Sequence, residues 1–276
     1  MTMEKTYSKT VQRLLQLDMP EEIKFNWPDY RKMGLTEMDI PELIRMVSDK
    51  DLLLNESDES WVWGPVHAWR ALGQLKAQQA VEPLVNLFEN AELEDWIGQE
   101  LPQVMAMIGP AAVSRLEKYA ENPIHGDFPR IYALECLLKI AGTHPDTTQN
   151  IKNFFIRNLQ LFENQSRLLN AFLIWFLIDL KVREAAPLME QAFAANKVDH
   201  TVVGDWEDAQ VDLGLLKERI TPKPNYFWER LDRLSLQKRK EELKEQQKSV
   251  KRKIAKMKSK RKMASTSRKR QRRKKK

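Results

Sequence analysis

The chain has 276 residues, a formal net charge of +7, 42% hydrophobic residues, eight Trp and a single Cys. One cysteine excludes an intramolecular disulfide framework and a multi-cysteine zinc site, and this content of Trp and apolar residues excludes a chain disordered from end to end. The net charge averages two opposite objects: residues 237–276 hold 21 Lys or Arg against three acids, a balance of +18, whereas the 236 residues before them hold 25 bases against 36 acids, a balance of −11.

The N-terminus, Met-Thr-Met-Glu-Lys, has no long apolar stretch behind it, so no secretory signal is expected. The spacing predicts a first clear helix over 36–47. Thr36, three residues before Asp39, is a capping-box variant, and Ile40, Leu43, Ile44 and Val47 fall on one face. In the next segment Trp61, Trp63, His67 and Arg70, with Trp69 among them, can line one surface. These four are the candidate partner-binding residues, since the planar guanidinium of Arg70 suits a carboxylate or phosphate. The same residues also fit a hairpin packed by its own aromatics, with Arg70 holding a helix end.

From residue 72 onward a pattern recurs. Leu72-Gly-Gln-Leu-Lys-Ala-Gln-Gln-Ala80 leads into Val81-Glu-Pro-Leu-Val85. Met105-Ala-Met-Ile-Gly-Pro-Ala-Ala112 leads into Val113-Ser-Arg-Leu116, and Leu177-Ile-Asp-Leu-Lys-Val-Arg-Glu-Ala185 leads into Ala186-Pro-Leu-Met189. Each reads as a helix, a short turn, a small residue and a second helix. The glycines Gly73, Gly109, Gly142 and Gly214 are placed at such turns, and Pro83, Pro110 and Pro187 in first turns, where a missing N–H costs nothing. The turn anchors Leu75, Ile108, Ile140 and Leu180 lie roughly one helical hairpin apart. Between them, Cys136 sits in an apolar helical run and is expected to be an inert core thiol. The longest apolar run, Ala171 to Ile178, is eight residues, far short of the ~20 a membrane span needs, and reads as the most buried helix. Asp205 fits an N-cap, with Glu207 and Asp208 in the first turn behind it. Thr221-Pro-Lys-Pro-Asn225 ends the helical body. No segment alternates with period two, so no strand is expected.

These hairpins resemble HEAT-like repeats, including the short bacterial form of phycobilisome-lyase-type proteins. The residues that carry the resemblance are Leu72-Gly-Gln-Leu with Ala80-Val-Glu-Pro-Leu84, and Ile108-Gly-Pro-Ala-Ala112; it covers roughly 63–195. The resemblance implies an all-α solenoid of helical hairpins. The body also resembles a group of uncharacterised bacterial proteins in Gly34-Leu-Thr-Glu-Met-Asp-Ile-Pro-Glu-Leu43, Trp63-Gly-Pro-Val-His-Ala-Trp-Arg-Ala-Leu-Gly73 and Gly204-Asp-Trp-Glu-Asp208. Where some of those end in a cysteine-rich zinc motif, this sequence has Lys and Arg.

The tail is a different physical object. It has no aromatic residue, no Gly and no Pro. Leu236, Leu243, Val250 and Met257 fall seven apart, and Lys, Arg, Glu and Gln favour a helix that like-charge repulsion opposes. A basic, partly helical or disordered arm is expected. Concentrated Lys and Arg bind polyanions by counterion release. The candidate nucleic-acid contacts are Lys251, Arg252, Lys253, Lys260, Arg261, Lys262, Arg268, Lys269, Arg270, Arg272, Arg273 and Lys274. Without aromatics to stack on bases, recognition of phosphate and shape is expected, structured RNA ahead of DNA.

The expected organisation is an acidic helical domain over 1–221, a linker over 222–236 and the polybasic tail over 237–276. His67, His125, His144 and His200 stand at no metal-ligand spacing, and no nucleophile or phosphate-loop motif occurs, so neither metal, cofactor nor enzymatic activity is expected. The functional expectation is a cytoplasmic, non-enzymatic adaptor, its solenoid binding a protein or peptide and its tail contacting RNA or the ribosome, with no membrane partner. A protein scaffold regulated by its own tail is the alternative. The resemblance to lyase-type repeats implies a third, minor one: a tetrapyrrole lyase.

Overall fold

The structure is a computed structural model and describes residues 7–19, 27–53, 60–90 and 95–226. Among them every regular element is helical. The chain divides into two compact units, Met1–Ile220 and Thr221–Lys276; of the second, only 221–226 are described.

The first unit opens with a single turn, α1 (Lys9–Gln12), capped by the Ser8 hydroxyl. The capping residues of the 36–47 helix act as the sequence predicts. The Asp39 carboxylate accepts from the Thr36 backbone N–H at 2.8 Å and from its hydroxyl at 3.0 Å. A 3-10 turn over Glu37–Asp39 then leads into α2 (Ile40–Val47), with Ile40, Leu43 and Val47 in the core. After α3 (Lys50–Leu53) come α4 (Gly64–Gln74), α5 (Val81–Val85), α6 (Asp95–Ile108), α7 (Val113–Glu121), α8 (Asp127–Thr143), α9 (Pro145–Leu159), α10 (Arg167–Asp179), α11 (Ala186–Ala194), α12 (His200–Val203) and α13 (Trp206–Asp212).

The recurring sequence pattern becomes a recurring turn. At the ends of α4, α10 and α11 the chain passes through the left-handed region at Lys76 (φ 52), Lys181 (φ 54) and Asn196 (φ 56). In each case two backbone N–H groups fold back on the helix end. Lys76 donates to Gly73 and Ala77 to Leu72. Lys181 donates to Ile178 and Val182 to Leu177, and Asn196 donates to Phe193 and Lys197 to Ala192. This is the Schellman pattern, which satisfies carbonyls that a helix end otherwise leaves open. A 3-10 turn precedes the next helix at Gln78–Ala80, Pro110–Ala112 and Arg183–Ala185, and Ala80, Ala112 and Ala185 are buried where the corner closes.

Packing follows an order. α4 lies between α2 and α6, α6 against α8, α8 against α10, and α10 against α12; α7 and α9 cover α8, α5 lies on α7, and α11 on α13. Polar contacts step along the chain at a similar interval. Arg70 reaches Glu100, 30 residues on, and Tyr119 reaches Glu89, 30 back. Arg115 reaches Glu82 and Asn150 reaches Glu117, each 33 back. Arg167 reaches the Val198 carbonyl, 31 on, and Arg183 the Leu213 carbonyl, 30 on. Most of the apolar run in α10 is buried, as expected, but Trp175 stands 47% exposed. Cys136 is fully buried in α8, and burial pushes its thiol pKa well up, so it carries no thiolate at neutral pH. No described helix is long and apolar enough to cross a membrane.

Candidate functional site

The four candidate partner-binding residues fall at the start of α4. Trp61 and Trp63 lie half-buried in a 3-10 turn, Ser60–Trp63, that runs directly into the helix. His67 and Arg70 do not share their surface. Every residue from Gly64 to Gly73 is buried, because α2 and α6 flank the helix and the Leu15 side chain closes on its first turn; a Cβ on Gly64 would come within 2.5 Å of Leu15 Cδ2.

The carboxylate that the sequence reading seeks for Arg70 is internal. Glu100 of α6 accepts from Arg70 Nε at 2.9 Å, from a second guanidinium nitrogen, and from the Trp69 indole N–H at 2.8 Å. The guanidinium lies 5.0 Å from the Trp27 ring centroid and 5.8 Å from that of Trp96, so aromatic faces enclose a cation already neutralised by a forked carboxylate. Trp96 meets Trp63 edge-on at 5.7 Å, which ties the 3-10 turn to α6.

His67 is held at both ring nitrogens. Tyr30 Oη lies 2.7 Å from Nδ1 and the Asp18 carbonyl 3.1 Å from Nε2. Burial drives the Tyr30 phenol pKa upward, so Tyr30 donates to Nδ1 and the neutral ring donates from Nε2 to Asp18. Burial also pulls the His67 pKa down to about 4, with Arg70 adding to the effect against the opposing bond to Asp18. Gln74 completes the arrangement, accepting from the Tyr30 N–H and donating to the Pro28 carbonyl. The cluster therefore fastens Asp18, Trp27, Pro28 and Tyr30 onto α4 and α6 through contacts made inside the fold. Tyr30 and Glu100 carry no sequence signal of this role, since their partners lie 37 and 30 residues away.

Two further polar clusters lie nearer the surface. Glu89 Oε1 accepts from Tyr119 Oη and contacts His125 Nδ1, each at 2.5 Å, while the two rings stack at 3.8 Å. At the end of the first unit Arg219 bridges Asp205 (2.8 Å), Asp208 (2.7 Å) and Glu207 (3.2 Å). Asp205 is the N-cap of α13, as predicted, and accepts from the Asp208 N–H at 3.0 Å. Among the described residues no group of three or more His, Cys, Asp or Glu side chains is placed to hold a metal ion. The twelve candidate nucleic-acid contacts between Lys251 and Lys274 lie outside the described residues. No protein-family description, curated protein or solved structure matches this chain.

Proposed function

We propose that this protein is a non-enzymatic adaptor. Its first unit is a HEAT-like solenoid that binds a protein or peptide, and its basic tail contacts RNA or the ribosome through phosphates. The observation that carries the reading is the segregation of charge: +18 over the last forty residues against −11 over the rest. A polycation joined to an acidic folded body retains affinity for polyanions while the body repels them, so the two parts take different partners. The solenoid reading is supported by neighbour-to-neighbour helix packing and by polar contacts that recur at separations of 30 to 33 residues, the behaviour of stacked hairpins.

A salt titration tests the proposal. Binding to a structured RNA and to duplex DNA is measured for the full chain, for a chain ending at Arg233, and for a full-length variant with Arg268, Lys269, Arg270, Arg272, Arg273 and Lys274 all changed to Gln. If about eight phosphates are neutralised, affinity falls ~10³ to 10⁵ between 50 and 200 mM salt, and both altered chains lose most of it. Equal binding by all three, or none by the full chain at 150 mM salt, overturns the polyanion half of the reading. Salt-sensitive association between the separate tail peptide and the shortened chain, without nucleic acid, would instead favour a scaffold regulated by its own tail.

A further inference from the structure

Two arginines are buried among the described residues, Arg70 and Arg130, and the fold treats them oppositely. Arg70 has the Glu100 carboxylate on its fork. Arg130, near the start of α8 and only 9% exposed, has no carboxylate within 4 Å. Its Nε donates to the Ala120 carbonyl near the end of α7 at 2.7 Å, and Nη2 makes a long bond of 3.4 Å to Gln165 in the α9–α10 connection. Nη1 has no partner among the described residues and is not sealed from solvent. Burial lowers the Arg130 pKa, and Asp127, one turn back, opposes this only from beyond contact distance.

A guanidinium taken out of water without a carboxylate is costly. The bond to Ala120 accounts for Nε, since a cation suits the C-terminal end of a helix, but it leaves the outer edge of the fork unused. α8 begins at Gly126, which has no side chain to cap it, so the positive end of a 17-residue helix lies in the turn that carries Arg130. We propose that the open edge of Arg130, Nη1 and Nη2, together with the uncapped first turn of α8, is a binding site for a single carboxylate. Shape and charge decide the class. Two parallel N–H groups match the two oxygens of a carboxylate. Arg130 supplies one positive charge and Asp127 stands nearby with a negative one, so a phosphate, with its larger charge, meets added repulsion for the same attraction. The carboxylate comes from an acidic side chain of a partner protein or from a small free acid, which present the same group. The site stands apart from the adaptor reading and from the basic tail.

The test follows the Arg130 Nε–H and the Asp127 and Phe128 amides by NMR in the full, isotope-labelled chain. Sodium acetate, sodium phosphate and the capped peptide acetyl-Ala-Leu-Glu-Leu-Ala-amide are titrated in turn at constant ionic strength. Each readout belongs to one residue, so anions gathered by the basic tail do not disturb it. Acetate is expected to shift all three signals saturably, and phosphate to bind severalfold more weakly. Arg130→Gln is expected to abolish the shifts at the two amides. Because that variant can fail to fold, Asp127→Asn, a conservative change at a half-buried position, is measured beside it; it removes the competing charge and is expected to tighten acetate binding severalfold. A peptide that binds about tenfold more tightly than acetate assigns the carboxylate to a partner protein, and equal affinities assign it to a free acid. No saturable shift with acetate or peptide, or acetate binding unchanged in Asp127→Asn, overturns the site and leaves Arg130 as a cap of α7. Phosphate binding more tightly than acetate overturns the assigned chemistry.

Discussion

Arg70 on α4 and Glu100 on α6 grip each other through two parallel hydrogen bonds, with side chains only 2% and 0% exposed. Removing water from two charges is costly, and the pair persists because the fork satisfies both partners and Trp69 fills a further acceptor site. Glu100→Ala strands a buried guanidinium and is expected to destabilise the fold by about 3–5 kcal/mol. Replacing both members with apolar residues of similar volume, Arg70→Met with Glu100→Leu, is expected to cost much less than either single change. Urea denaturation of the two single variants and the double variant measures this; additive losses would show that the pair is not coupled.

His67 gives the fold an acid-sensitive joint. Its neutral ring takes a bond from Tyr30 and gives one to Asp18, and Arg70 is the charged neighbour. The folded pKa of about 4 lies below the ordinary histidine value of 6.5, so the unfolded chain binds the proton first. Stability is therefore complete above pH 6.5 and is lost as pH falls toward 4, by up to roughly 3 kcal/mol from this group. His67→Gln can still accept from Tyr30 and donate to Asp18 but does not titrate. Its stability between pH 7 and 4.5 is expected to decline less steeply than that of the parent, and parallel curves would contradict the assignment.

Local chemistry was legible in the sequence, and long-range pairing was not. Thr36 with Asp39, and Asp205 with Asp208, act within three residues, and both caps form. The Leu-Lys pairs 75–76 and 180–181 marked real corners, since the turn repeats wherever the same backbone geometry is needed. By contrast Glu100 sits in Gln-Glu-Leu-Pro, which signals nothing until stacking brings Arg70 beside it. His67 and Arg70 looked accessible because a helix enclosed on all sides by neighbours has the same residue spacing as one with an open face. Two of the glycines expected at turns proved to be inside helices. Gly73 lies where Met107 and Val104 would crowd a Cβ at 3.3 and 3.4 Å, and Gly142 near the end of α8 has nothing within 4 Å.

Backbone conformation decides whether a glycine or a β-carbon is the better residue at a given position. Gly142→Ala fills open space in a helix and is expected to stabilise by about 0.5–1 kcal/mol. Gly109→Ala forces an alanine to φ 86 with its Cβ 2.9 Å from the His144 ring, and is expected to cost about 1–3 kcal/mol. Lys76→Gly and Lys181→Gly relieve a β-carbon from the left-handed region and are each expected to add roughly 0.5–1 kcal/mol. Thermal midpoints of the four variants decide it, and a destabilised Lys76→Gly would mean that this side chain stabilises its corner by more than the backbone strain it imposes.

Arg219 closes the last described turns of the first unit. It joins the N-cap Asp205 to Asp208 and Glu207, and Glu207 also accepts from the Ile220 N–H. Three carboxylates crowd one guanidinium there, so removing the cation leaves mutual repulsion where the chain must turn. In Arg219→Ala the amides between Leu213 and Ile220 are expected to exchange with solvent severalfold faster, while those of α4 and α6 stay as slow as before. Raising the salt concentration should narrow the difference, because screening weakens the repulsion among the freed carboxylates. If exchange at Leu213–Ile220 is unchanged at low salt, the corner is held by its backbone bonds, in particular Gly214 to Val211 and Leu215 to Gln210, and the guanidinium is dispensable to it.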